Sequence, residues 1–346
     1  MVPNIKTDVL QFIQSHPLRS SKEIYDSLGA EIGYATVKRL LNQLLTENLI
    51  ITQGKGKGTK YESSPSYELL YPINVEKYFE KEQDERRIKD NFELTLIANI
   101  LRRAKLYNDI ERANLRILHE KFKKNVAELS ETAYNKEMER LAIDLSWKSS
   151  QIEGNTYTLL ETERLLKEKE TAEGKPKDDA IMLLNHKEAL NFIIAHPDYV
   201  IPLTVRGIED IHSLLIKDLG VDRNIRQWRV GISGTNYKPL DNEYQIREAL
   251  TEMCTLINEK EDVFEKALLA LVLLSYIQAF VDGNKRTARI VSNAVLIAHG
   301  YCPISYRTVD SIEYKKAMLV FYEQNNIYPF KEIFINQYEF AVNSYF

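Results

Sequence analysis

Along the first 65 residues, apolar positions recur at helical spacing in three short runs. Val9, Leu10, Phe12 and Ile13 mark the first, which ends before Ser15-His16-Pro17. Ser20 or Ser21 is placed to cap a second segment, Lys22 to Leu28, with Gly29 behind it as a stop signal. A third is predicted from about Tyr34 to Glu47, where Val37, Leu40, Leu41, Leu44 and Leu45 share one face. Leu49-Ile50-Ile51-Thr52 then reads as a strand, Gly54, Lys55, Gly56, Lys57 and Gly58 as a turn, and Thr59-Lys60-Tyr61 as the return strand. Beyond hinges at Ser64-Pro65 and Tyr71-Pro72, the pattern predicts helix almost throughout 75–170 and again from about 180 to the end. Gly, Pro and β-formers interrupt it at 221–240, which reads as a small hairpin or flap on an all-helical body. Glu80 to Asp90 is nearly all charged and predicts a solvated helix face laced with i,i+4 pairs.

At 346 residues the chain has room for two or three structural units, and 44% hydrophobic with 28% charged residues is an ordinary globular mixture. We assign 1–65 to a small α+β domain, 66–195 to a helical region and 196–346 to a mainly helical core domain. No apolar run reaches about 18 residues, so no membrane span is expected. The N-terminus lacks the apolar centre of a signal peptide, and Cys254 and Cys302 are too few for a disulfide framework; both point to the cytoplasm. The net charge of −4 argues against coating nucleic acid over the whole surface, yet residues 1–65 alone carry +2 and the remainder −6.

Three helices followed by a hairpin resemble the winged helix-turn-helix family. That resemblance implies Tyr34, Thr36, Lys38 and Arg39 on a DNA-facing helix, with Lys55, Lys57 and Lys60 of the wing meeting phosphates. The same fold also serves as a protein-docking or dimerisation module.

The sharpest chemical signal is Gln278-Ala279-Phe280-Val281-Asp282-Gly283-Asn284-Lys285-Arg286-Thr287-Ala288-Arg289, set between two apolar helical segments. A helix–loop–helix break of this kind places backbone N–H groups at a helix N-terminus, where phosphate binds. Asp282 is a candidate Mg²⁺ ligand, and Arg286 and Arg289, three apart, fall on one helix face where they can grip successive phosphates.

This stretch resembles the signature of the Fic/Doc (Fido) family, His-x-Phe-x-(Asp/Glu)-Gly-Asn-(Gly/Lys)-Arg-x-x-Arg. Phe280, Asp282, Gly283, Asn284, Lys285, Arg286 and Arg289 match, and Gln278 stands where the family has His. Ile225-Arg226 and the run Gly231, Ile232, Ser233, Gly234, Thr235, Asn236 and Tyr237 resemble the family's flap, a β-hairpin that pairs with a target segment. His212 reads as a structural residue of the preceding helix, and the run from Tyr314 as the last helices. Ser149-Ser150-Gln151-Ile152-Glu153-Gly154-Asn155 resembles the inhibitory helix of such proteins, here near 141–154. The resemblance implies that Glu153 pairs with Arg289, and spacing puts Ser149 and Glu153 on one face with Gly154 ending the helix.

The resemblance further implies ATP and Mg²⁺ as cofactors, and AMP transfer from ATP to a Ser, Thr or Tyr hydroxyl of a target protein. Gly283, Asn284, Lys285, Arg286 and Arg289 would hold the nucleotide, Asp282 the metal, and Arg286 the leaving group. Gln278 has no proton affinity near neutral pH, and losing a general base removes about 10²–10⁴-fold in rate. Three readings follow: an auto-inhibited adenylyltransferase of weak or lost activity; a silent nucleotide-binding fold acting as a DNA-binding regulator; and another phosphate-transfer chemistry of the Doc type. A homodimer is compatible with all three.

Overall fold

The computed structural model describes residues 5–28 and 33–346. Gly29, expected to stop the second helix, lies outside the described residues, as does the side chain of Lys57. The chain divides into two compact units, one made of residues 1–72 and 99–114 and the other of 73–98 and 115–346.

The first unit starts with helices α1 (Ile5–Ser15), α2 (Ser21–Ser27) and α3 (Tyr34–Thr46). Ser20 caps α2 with a reciprocal box to Glu23, which satisfies two otherwise unpaired N–H groups. Of the apolar positions read from the sequence, Val9, Leu10, Ile13, Val37, Leu40, Leu41 and Leu44 are buried, with Ile24 beside them, while Phe12 and Leu45 are half-buried. Strands β1 (Ile50–Gln53) and β2 (Lys60–Ser63) pair antiparallel, with Ile50 opposite Ser63 and Gln53 opposite Lys60. The short helix α4 (Tyr67–Leu70) follows.

The second unit is helical: α5 (Val75–Tyr78), α6 (Asp109–Glu128, which begins in the first unit), α7 (Glu131–Ile152), α8 (Leu159–Glu168), α9 (Lys177–Ala195), α10 (Val205–Leu215), α11 (Glu243–Glu259), α12 (Val263–Ile277), α13 (Asn284–Ala298), α14 (Ser311–Gln324) and α15 (Tyr328–Tyr345). Every residue from Ala267 to Ile277 is buried, so α12 is the central rod of the core, apolar all round. Packed against it, α13 is buried at every residue from Arg286 to Leu296, so Arg286, Arg289, Ser292 and Asn293 lie inside beside Ile290 and Val291. Among the described residues no helix is long and apolar enough to cross a membrane.

Two expectations need correction. Glu80 to Asp90 is not a helix: past α5 the chain runs irregularly, with one 3₁₀ turn at Gln83–Glu85. Its charges find distant partners instead, above all Arg86, whose guanidinium forms a buried bidentate pair with Glu323 of α14 at 3.0 Å through both Nε and Nη2. Nor is 231–237 a self-paired hairpin. The mainly helical fold carries its two-stranded sheet in β1 and β2, whereas 231–237 is turn and coil. Its far end is held by Asn91, which forms an isolated parallel bridge with Lys238, and by Lys238 N donating to Asp90 O at 2.8 Å.

Candidate functional site

A cavity of about 410 Å³ opens where four elements of the second unit meet: the end of α7, the 278–283 loop with the start of α13, the segment 231–233, and α14. From α14 come Tyr314, Lys315, Met318, Leu319 and Tyr322, a wall half apolar and half polar.

The loop between α12 and α13 is fastened from within. Asn284 accepts from Phe280 N at 2.8 Å and donates to Phe280 O at 2.8 Å, closing the loop on its own backbone. Gly283 sits at φ +80°, and a Cβ there would lie 3.2 Å from Ile216 Cγ2 and 3.4 Å from the His212 ring. Glycine is required twice, for the left-handed turn and for the space. His212 stacks on Phe280 with ring centroids 3.6 Å apart, and its Nε2 lies 3.0 Å from Asp282 O. Burial pushes its pKa down to about 4, so the ring is neutral at pH 7 and braces the loop, as its sequence context suggested. Because Gly283 offers no side chain to cap α13, the open N–H groups of the first turn remain at the cavity, which residues 281–286 line.

Three cations follow in the first two turns of α13. Arg286 is buried, its Nη2 3.0 Å from Asp282 Oδ2 and its Nη1 3.4 Å from Leu215 O. The Asp282 side chain is itself 61% exposed. That open carboxylate suits Mg²⁺, which takes one or two protein carboxylates and completes its shell with water and substrate phosphates. No cluster of three His, Cys, Asp or Glu residues able to hold a metal exists among the described residues, so an ion here would depend on phosphate oxygens. Arg289 is fully buried: Nε donates to Ser149 Oγ at 2.7 Å, and Nη2 donates to Ser149 O at 2.9 Å and Glu153 Oε1 at 2.8 Å. The third cation, Lys285, reaches the same carboxylate, with Nζ 3.1 Å from Glu153 Oε2.

Glu153 owes its place to the way α7 ends. Asn155 N donates to Ser150 O and Gly154 N to Gln151 O, each at 3.0 Å, the paired bonds of a Schellman turn. Gly154 takes the left-handed position at φ +103°. Burial disfavours the Glu153 charge, yet Arg289 and Lys285 outweigh it and hold its carboxyl down at about 2. Asn155, grouped with the inhibitory motif, does not line the cavity; its amide donates to Asp179 O at 2.8 Å and accepts from Tyr157 N at 3.0 Å, fixing the turn after α7.

Gln278 ends α12 in a left-handed conformation at φ +53°. Its Nε2 donates to Ser275 O at 2.7 Å and Tyr322 Oη at 3.1 Å, and its Oε1 accepts from Asn284 Nδ2 at 3.2 Å. Both amide protons are engaged, and one Oε1 lone pair is left unused on a residue that lines the cavity.

On the flap side, Gly231, Ile232 and Ser233 line the cavity, while Thr235 and Tyr237 are buried. Tyr237 stacks on Tyr276 and Tyr322, with centroids 5.1 and 5.4 Å away. Asn236 exchanges bonds with Gln83 at 2.7 Å and Asp84 at 2.8 Å, and Gly234 O accepts from Arg86 Nη2 at 2.5 Å. Arg226 closes the base of the flap: it donates to Gln278 O at 2.6 Å, Trp228 O at 2.6 Å and Leu240 O at 2.5 Å. Sequence reading placed Arg226 in the flap without this task, and it missed Arg86, Tyr322 and the Lys285–Glu153 contact. All four depend on contacts remote in sequence.

In the first unit, Lys38, Arg39 and Lys55 are exposed and Thr36 is half-buried. Tyr34 shares a hydrogen bond of 2.8 Å with Ser21, and the charge of Lys60 is taken up by Glu23 at 3.1 Å.

The helical fold and the arginine-bearing helix N-terminus define a class of domain that comparison with known proteins names. Residues 202–296 match the model of the Fic/DOC family, and the chain therefore carries a Fic/DOC family domain. Among curated relatives, protein adenylyltransferase Fic of Drosophila willistoni is 24% identical over 209 residues, 57% of this chain and 38% of that protein. Protein adenylyltransferase Fic of Nematostella vectensis is 30% identical over 176 residues, 49% of this chain and 40% of that protein. The chain thus spans about two fifths of the length of these relatives. Among solved structures, Fic-1 of C. elegans superposes with a TM-score of 0.59 at 23% identity, over 68% of this chain and 72% of that one. A Fic domain containing signaling protein from Bacteroides thetaiotaomicron gives 0.57 at 22% identity, over 66% of this chain and 94% of that one. Both likenesses establish the fold.

Proposed function

We propose that the cavity takes ATP with Mg²⁺ and that the chain is a protein adenylyltransferase held off by Glu153 and deprived of its general base by Gln278. The observation that carries this reading is the contact of Glu153 with Arg289 and Lys285 at the open N-terminus of α13. An anion already occupies the place a phosphate would take. The names of the curated relatives and the match over 202–296 support adenylyl transfer as the chemistry.

In that reaction a target hydroxyl oxygen bonds to the α-phosphorus, the bond to pyrophosphate breaks, and the hydroxyl proton leaves. The first-turn N–H groups of α13 and Arg286 bind the phosphates and carry the charge that builds on the leaving group. Asp282 would hold Mg²⁺, which neutralises phosphate charge when bound. Gln278 can accept a hydrogen bond from the hydroxyl through its remaining lone pair but cannot take the proton, which must pass to solvent or a phosphate oxygen. A deficit of about 10²–10⁴-fold against a histidine at this position is the expected result.

Intact mass after incubation with ATP and Mg²⁺ tests the proposal on Glu153→Gly with and without Gln278→His, alongside calorimetric titration of ATP. Binding by both variants and an AMP adduct strengthened by the histidine are expected. Absence of ATP binding in both overturns the reading.

A second reading is favoured by the two engaged amide protons of Gln278, which hold its side chain as a structural link: a silent nucleotide-binding domain whose output is the first unit, acting as a winged helix on DNA. The exposed polar side of α3, with Lys38, Arg39 and Asn42 opposite its buried leucines, supports that role. AMP transfer by Glu153→Gly alone would exclude silence.

A further inference from the structure

Lys285 and Arg289 stand four residues apart on one face of α13, within the first two turns of the helix. Like charges at i,i+4 repel, and cations are disfavoured near a helix N-terminus. Two cations in this place call for an anion between them. The Glu153 carboxylate supplies it, with one oxygen 2.8 Å from Arg289 and the other 3.1 Å from Lys285. The two cations are not equivalent. Arg289 is fully buried and has two bonds to Ser149 besides the one to Glu153, whereas the Lys285 side chain is 27% exposed and has Glu153 as its ion-pair partner at this site. Lys285 also lines the cavity. A flexible ammonium on a four-carbon stem can change partners with little else moving.

We propose that Lys285 is an exchangeable cation, held by Glu153 in the resting chain and transferred to a nucleotide phosphate when Glu153 withdraws. One carboxylate then withholds two cations from the nucleotide, and its release delivers both together. This rests on the reading of the cavity as an ATP site and adds the lysine's change of partner to it.

The consequence is a dependence of the Lys285 contribution on residue 153. ATP with Mg²⁺ is titrated calorimetrically into four full-length proteins: wild type, Lys285→Met, Glu153→Gln and the double variant. With Glu153 present, Lys285→Met leaves ATP affinity within about twofold or tightens it, because the lysine is engaged elsewhere and its loss loosens the carboxylate. With Gln at 153, the same substitution weakens ATP at least about tenfold, the size of a charge-assisted hydrogen bond. An equal loss in both backgrounds overturns the proposal, since the lysine would then hold phosphate regardless of Glu153. So does the absence of a loss with Gln at 153. If none of the four proteins binds ATP, the ATP-site reading itself has failed, a different outcome from the two just named. Both side chains are partly exposed, and thermal unfolding of each variant confirms that the four proteins are folded.

Discussion

At the α13 end of the cavity the loop is fastened by its own residues and by the end of α10, whereas the flap is fastened along its edge by an irregular segment about 150 residues away. Asn284 closes its loop on Phe280, Gly283 fits against Ile216 and His212, and Arg286 sits on Asp282, four residues before it. The flap has no ladder of its own; it hangs on Arg226 at its base and on Arg86, Asp84 and Asp90 along its edge. The first arrangement gives the cavity a fixed floor. The second gives a wall whose position depends on residues 83–91 staying seated.

The strongest way to break this contrast is Arg286→Ala. Truncating one partner of a buried hydrogen-bonded charge pair costs about 2–5 kcal/mol, so ATP affinity should fall by about 30-fold or more. Unchanged affinity in a calorimetric titration would remove Arg286 from the site. Next is Gly283→Ala, which combines left-handed strain with a contact at 3.2 Å and should cost about 2–3 kcal/mol in urea unfolding. A neutral result would mean that the loop is looser than the flap.

On the flap side, Arg226→Lys cannot serve three carbonyls that need the planar guanidinium, and a loss of about 1–3 kcal/mol is expected. Faster amide exchange across 229–240, with 278–284 unchanged, would confirm that the two ends are separately secured.

The smallest effect is on pH dependence. The Glu153 carboxyl titrates at about 2 in the folded chain against an ordinary 4.5. The unfolded chain takes up the proton first as pH falls, so the stability this carboxylate adds is complete above about pH 5 and lost between there and pH 2. Unfolding of wild type and Glu153→Gln at pH 7, 5 and 3 should show their difference constant over the first step and shrinking over the second. A difference that holds at pH 3 would mean that the carboxylate is not ion-paired.

What could be read beforehand follows the same division. The helix–loop–helix chemistry lies within twelve consecutive residues, and Gly154 announces the end of α7 by its place after Glu153; both are local in sequence. The three helices and the hairpin of the first unit were legible for the same reason, since leucine spacing and glycine turns act over a few residues. Glu80 to Asp90 misled because i,i+4 charge spacing fits a helix, while Arg86 gains more from a buried carboxylate 237 residues away. The flap was read as pairing with itself because its sequence favours extended chain, but the edge it pairs with belongs to Asn91. The Lys285–Glu153 contact needed the tertiary placement of α7, which no spacing within either motif contains.

Ser149 holds Arg289 by both its hydroxyl and its carbonyl, one turn before the carboxylate that also binds it. On the proposed reading, aim and obstruction fall to different residues of the same helix. Deleting the Glu153 carboxylate would then clear the way and leave Arg289 with its two bonds to Ser149, so loss of restraint need not bring loss of order. A lineage with such a brake could discard or restore it by a single substitution without rebuilding the site behind it.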